Sequence, residues 1–171
     1  RLFRPSEKRK AGLAFVDKLF LFVSGDIEKK ELEALFVHEY HHATRLSILD
    51  ERMESNLASS IVMEGLAEYA VSEYCGTPYL APWTKRHTTD EVRKRLKSNY
   101  VPNFELERND PLHDRLLFGG GGVPKMGGYE AGYRVVKDYA EYKGLKTKAL
   151  FTHSAKDIIS RWQELAGEQT D

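Results

Sequence analysis

Cysteine is almost absent from this chain: Cys75 is the single one in 171 residues. No intrachain disulfide can form, and the redox compartment leaves no mark on the sequence. Long apolar runs are also missing. The longest aliphatic-aromatic stretch, Leu19 to Val23, is far short of the roughly 20 residues that a membrane-spanning helix needs. No signal peptide is visible, which favours a cytoplasmic location. Neither sign of charge prevails, since 26 Lys and Arg stand against 26 Asp and Glu. The overall basic field that a nucleic-acid partner requires is therefore lacking, and none is expected. There is no repeat and no low-complexity tract. What is present is a chain of 41% apolar residues, enough for one core, so residues 1–171 read as a single domain. The chain begins at Arg1 rather than Met, with a strand-like segment close behind. That start predicts an upstream portion lost through truncation or processing.

Hydrophobic patterning orders the rest. Arg1 to Lys10 is a charged arm. Ala14 to Val23 (AFVDKLFLFV) is rich in Phe, Val and Leu and stops at Ser24-Gly25, the signature of a strand. Asp26 suits an N-cap, and from Ile27 the apolar residues Leu32, Leu35, Phe36, Ala43 and Leu46 recur at helical spacing. A second helix is expected from about Ser55 to Tyr74, stopped by Cys75-Gly76 and Pro78. Thr77 to Thr88 reads as loop, followed by a short charged helix to about Lys97 and turn chemistry from Tyr100 to Asp110. Gly119 to Gly122 is a tight or flexible connection and fits no phosphate loop. Tyr129 to Tyr142 forms a third major helix ending at Gly144. Ser154 and Asp157 then cap a last helix that runs to Gly167. The class is α+β, mostly helical, with a small sheet.

The first of these helices carries His38-Glu39-Tyr40-His41-His42, an H-E-x-x-H pattern. Positions i and i+4 lie nearly above one another on a helix, so His38 and His42 can share one Zn²⁺. Glu39 lies roughly 60° around from His42, where a carboxylate can take a proton from a metal-activated water. A third ligand is needed. A metzincin would continue as H-E-x-x-H-x-x-G-x-x-H, but Arg45 and Ile48 hold the glycine and third-histidine positions. The other source is Glu64, in Met63-Glu64-Gly65-Leu66-Ala67-Glu68-Tyr69, separated from His42 by positions 43 to 63, which is 21 residues. That interval suits a helix end, a turn and the start of an antiparallel neighbour. Gly65 removes a side chain beside the ligand and lets helices approach closely. Glu68, one turn further, is expected to accept a hydrogen bond from the non-metal nitrogen of His38 and so fix its ring.

HEYHH followed by EGLAE resembles the gluzincin metallopeptidases, which pair H-E-x-x-H with a glutamate on the next helix. More narrowly, the chain is similar to a bacterial family of predicted zinc-dependent proteases. The AFVDKLFLFVSG and GGYEAGYRVV segments add to the likeness, which spans about Gly12 to Trp162. The resemblance implies a zincin-like core with its sheet beside the H-E-x-x-H helix. It implies that His38, His42 and Glu64 bind one Zn²⁺ and that Glu39 is the general base. It also implies that the strand before the helix forms an edge along which an extended peptide can lie. The expected function is a zinc-dependent peptidase acting on a peptide or protein substrate. The alternative is a non-catalytic, metal-stabilised peptide-binding or regulatory module, although a pure binder has no use for a base beside the metal. A zymogen-like chain, whose upstream segment covers the cleft, is a third reading.

Other residues compete for roles. Tyr129 and Tyr133 lie one turn apart. They form either an aromatic stripe on the core or a donor to the tetrahedral oxyanion, for which Tyr133 is preferred. His113 and His153 are further candidates for that donor. His41 is expected to face away from the metal. Glu51, Glu54 and Glu73 are read as surface charges, and Lys85-Arg86-His87 and Arg93-Lys94-Arg95 as solvated faces. Trp83 and Trp162 are read as core or groove residues.

Overall fold

The segment read as one strand supplies the turn and the second strand of a hairpin. The computed structural model describes residues 10–49 and 55–168. The Arg1 to Lys10 arm, apart from Lys10 itself, lies outside the described residues, as do Glu51 and Glu54. Strand β1, Lys10–Ala14, pairs antiparallel with β2, Leu19–Val23, and Gly12 stands opposite Leu21. Phe15 to Lys18 make the turn, closed by Phe15 N–H donating to the Lys18 carbonyl at 2.8 Å. Successive side chains alternate between faces. Lys10, Gly12 and Ala14 are half-buried toward the helices, while Leu13, Phe20 and Phe22 are exposed.

Helix α1, Lys29–Ile48, starts with Glu28 rather than Asp26 at the cap position and has Glu31 in its first turn, where it complements the dipole. It buries Ala34, Leu35, Glu39, His41 and Arg45 and packs against both the hairpin and α2. Helix α2, Leu57–Tyr74, is capped by the Asn56 side chain accepting from Ser59 N–H at 2.9 Å. Its residues are apolar or small on almost every side and most are buried, the pattern of a helix enclosed by others. Single 3₁₀ turns at Thr77–Tyr79 and Pro82–Lys85 then lead into α3, Thr89–Arg95, which opens on a Thr88/Glu91 capping box.

Helix α4, Pro111–Phe118, lies where no helix was expected. Its start follows from Asp110 at the cap and Pro111 in the first turn. Gly119 to Gly122 all have positive φ, and Gly120 bridges Val123, so this run is an ordered tight turn. Helix α5, Gly127–Lys143, single-turn α6, Thr147–Leu150, and α7, Ala155–Glu168, complete the chain. The main core joins Ile61, Leu66, Val135, Val136, Ile158 and Trp162 across α2, α5 and α7. Gly65 does permit a close approach, but to α5 rather than to α1. Its Cα side faces the Gly132 backbone, and Gly132 faces the Ile61 carbonyl. None of the helices among the described residues is long and apolar enough to cross a membrane.

Candidate metal centre

Helix α1 presents His38 and His42 one turn apart, toward α2. Their Nε2 atoms are 3.1 Å apart, and each lies 3.3 Å from Glu64 Oε2. The three atoms form a nearly equilateral triangle. Tetrahedral ligands at the ~2.0–2.1 Å bond lengths of zinc would sit about 3.3 Å from one another. The triangle therefore has the size that a single Zn²⁺ requires, and the donor set of two imidazoles and one carboxylate suits that ion.

The charges point the same way. Glu68, buried on α2, accepts from Ala81 N–H at 2.5 Å with one oxygen and faces His38 Nδ1 at 3.2 Å with the other. A neutral His38 whose Nδ1–H donates to Glu68 turns a bare Nε2 lone pair toward Glu64. Three acceptors aimed at one point need positive charge between them. Burial alone would lower the His38 pKa, but Glu64 and Glu68 outweigh burial and hold it up at about 10. Burial would likewise raise the pKa of Glu64, yet His42 and His38 hold it well below the usual carboxylate range.

Glu39 is buried next to the triangle, on the side of α1 that faces β1. Loss of solvent pushes its pKa up, partly opposed by the positive rings of His38 and His42. Beside it lies a cavity of about 160 Å³, lined by Lys10, Leu35, His38, Glu39, Trp83 and Tyr129 among others. Tyr129 is the tyrosine that reaches the centre. Burial first, then the charge of Glu64 and a hydrogen bond to it, push the pKa of its phenol up. Its ring meets Trp83 edge-on at 5.6 Å between centroids. Tyr133, preferred from the sequence, does not line this cavity. One turn further along α5, it packs against the core and turns its hydroxyl to Ser72.

The remaining candidates serve the fold. His113 is buried against Ser60, and His153 bonds Tyr139 at 2.8 Å. His41 faces away from the triangle and stacks on Phe151 at 4.6 Å; burial, then the charges of His42 and Arg45, hold its pKa down at about 2. Trp162 is core, whereas Trp83 walls the cavity. Glu73 is not a free surface charge, because it accepts from Thr147 N–H at 2.6 Å and pairs with Lys146. The basic clusters are not merely solvated either. His87 and Arg95 hold buried Glu130, and Arg93 pairs with Asp138. Arg45, which had stood out only by occupying a glycine position, is buried. It donates to the carbonyls of Leu150, Phe151 and His153 at 3.3, 3.0 and 2.8 Å.

Two histidines one helical turn apart, joined by a glutamate from the adjacent helix, make a set of three donors that could hold a metal ion. The sequence comparisons agree with that class. A family model described as "Predicted Zn-dependent protease (DUF2268)" matches residues 2–160, and the chain belongs to that family. It is 44% identical over 131 residues to uncharacterized protein YjaZ of Bacillus subtilis (strain 168), covering 76% of this chain and 50% of YjaZ. It is 28% identical over 139 residues to uncharacterized protein YjfC of the same organism, covering 76% of this chain and 46% of YjfC. The chain thus spans about half the length of the curated relatives it matches. No solved structure matches it.

Proposed function

We propose that this chain is a zinc-dependent peptidase with a gluzincin-like core, hydrolysing peptide bonds in a peptide or protein substrate. The convergence of His38 Nε2, His42 Nε2 and Glu64 Oε2 within 3.1 to 3.3 Å carries this reading. These three residues would hold one Zn²⁺, with Glu68 orienting the His38 ring. Bound zinc lowers the pKa of water toward neutrality and polarises a carbonyl.

The chain's own groups do the rest. Glu39 takes the proton of the attacking water and passes it to the leaving amine. Its burial suits a carboxylate that must hold a proton between those two events, since the neutral form is then less costly. Tyr129 donates its hydroxyl to the oxyanion, a contribution of about 2.7–4 kcal/mol for one such donor. The hairpin beside α1 offers an edge to an extended substrate. All of these groups belong, in this reading, to one domain.

The test compares zinc-loaded wild type with Glu39→Gln on a mixed peptide library, with and without a chelator. Wild type is expected to cleave, and chelator to stop it. Glu39→Gln should keep one zinc per chain and lose at least about 100-fold in rate. Cleavage by Glu39→Gln at the wild-type rate would remove Glu39 as the base.

A further inference from the structure

Gly12 occupies the middle of β1, opposite Leu21, on the face that looks toward α1. Its backbone does not call for glycine, because its φ is not positive. A glycine inside a strand also weakens the strand. What Gly12 supplies is space. A Cβ built on it would lie 2.2 Å from Glu39 Cγ, 2.3 Å from Cδ and 2.3 Å from Oε1, where ordinary contact begins at 3.4 Å. The Glu39 carboxylate and its stem therefore occupy the volume that any other residue at position 12 would fill.

The geometry points to Gly12 as the positioning residue of Glu39: the missing side chain on β1 is the seat of the carboxylate. The inference deepens the peptidase reading and rests on it for the catalytic consequence. Even an added methyl group displaces the carboxylate. The displacement is less costly to the fold than a main-chain clash, because every atom that must yield belongs to the Glu39 side chain. It costs the reaction much more, since a shift of about 1 Å in a reacting group is worth on the order of 100-fold.

The experiment pairs Gly12→Ala with Glu39→Gln in the full chain. Gly12→Ala should fold, bind one zinc and keep its KM while kcat falls about 100-fold. In the Glu39→Gln background the same substitution should leave the residual rate unchanged, because the base is already gone. A crystal structure of Gly12→Ala should show the Glu39 side chain in a different rotamer. Wild-type kcat in Gly12→Ala, or an equal loss in both backgrounds, would overturn the assignment. So would a crystal structure with Glu39 unmoved. That structure is read without turnover. A wild type that cleaves no peptide, together with a displaced Glu39 in the variant, would sink the peptidase reading and leave the seat standing.

Discussion

Replacing Gly132 with alanine should force α2 and α5 apart. A Cβ at Gly132 would lie 1.7 Å from the Ile61 carbonyl oxygen and 2.6 Å from its carbon, against 3.4 Å for the start of ordinary contact. The obstacle is main chain inside a helix, which cannot rotate out of the way as a side chain can. The reciprocal position is equally tight, since a Cβ at Gly65 would lie 2.2 Å from the Gly132 oxygen. Overpacking a core commonly costs about 1–3 kcal/mol, and a backbone clash belongs at the upper end. The substitution also gains about 1 kcal/mol of helix propensity. A net loss of about 2 kcal/mol follows, equal to roughly 4–8 °C in Tm at this chain length. Urea unfolding with an unchanged m-value is the assay. Gly167→Ala in α7, where a Cβ meets nothing within 4 Å, is the control and should be neutral or stabilising. Equal or greater stability of Gly132→Ala would show that the helices do not cross backbone to backbone.

Arg45→Met should destabilise the chain by about 3 kcal/mol, because three carbonyls between α6 and α7 lose a charged donor. A loss under about 1 kcal/mol in chemical denaturation would mean that desolvation of the buried cation cancels its bonds. Glu73→Gln tests the acid side of the stability profile. Burial would raise the Glu73 pKa, but Thr147 and Lys146 outweigh it and depress it below the ordinary 4.5. A depressed folded pKa means stability that is fully present above 4.5 and lost as pH falls through the folded value. The gap between wild type and Glu73→Gln should accordingly be constant from pH 7 to 5 and narrow below 4.5. A gap that widens on acidification would refute the pairing.

Local signals carried much of the architecture. The Ser154–Asp157 pair, with Asp157 N–H donating to Ser154 Oγ at 3.0 Å, marks the start of α7. Gly144 in a left-handed conformation marks the end of α5. Helical spacing alone puts His38 above His42, and the EGLAE segment already suggested a partner helix. The hairpin was hidden because β1, KAGLA, starts inside the charged arm, while Phe15 and Val16 in the turn are apolar enough that Ala14 to Val23 read as one element. Helix α4 was overlooked although Asp110-Pro111 is a fair start signal, and α6 is a single turn with too little period to read. Which of Tyr129 and Tyr133 lines the cavity was not legible. It depends on how α5 is rotated against α2, which the Gly65–Gly132 contact sets across 67 residues of chain. Separation in sequence also hid Arg45, whose acceptors lie more than a hundred residues away.

Glu68 touches two things at once: the ring of His38 and the amide of Ala81. The His38 corner of the triangle is thereby linked to the short turns that carry Trp83. The wall of the cavity beside Glu39 is tethered to the triangle through one shared anion.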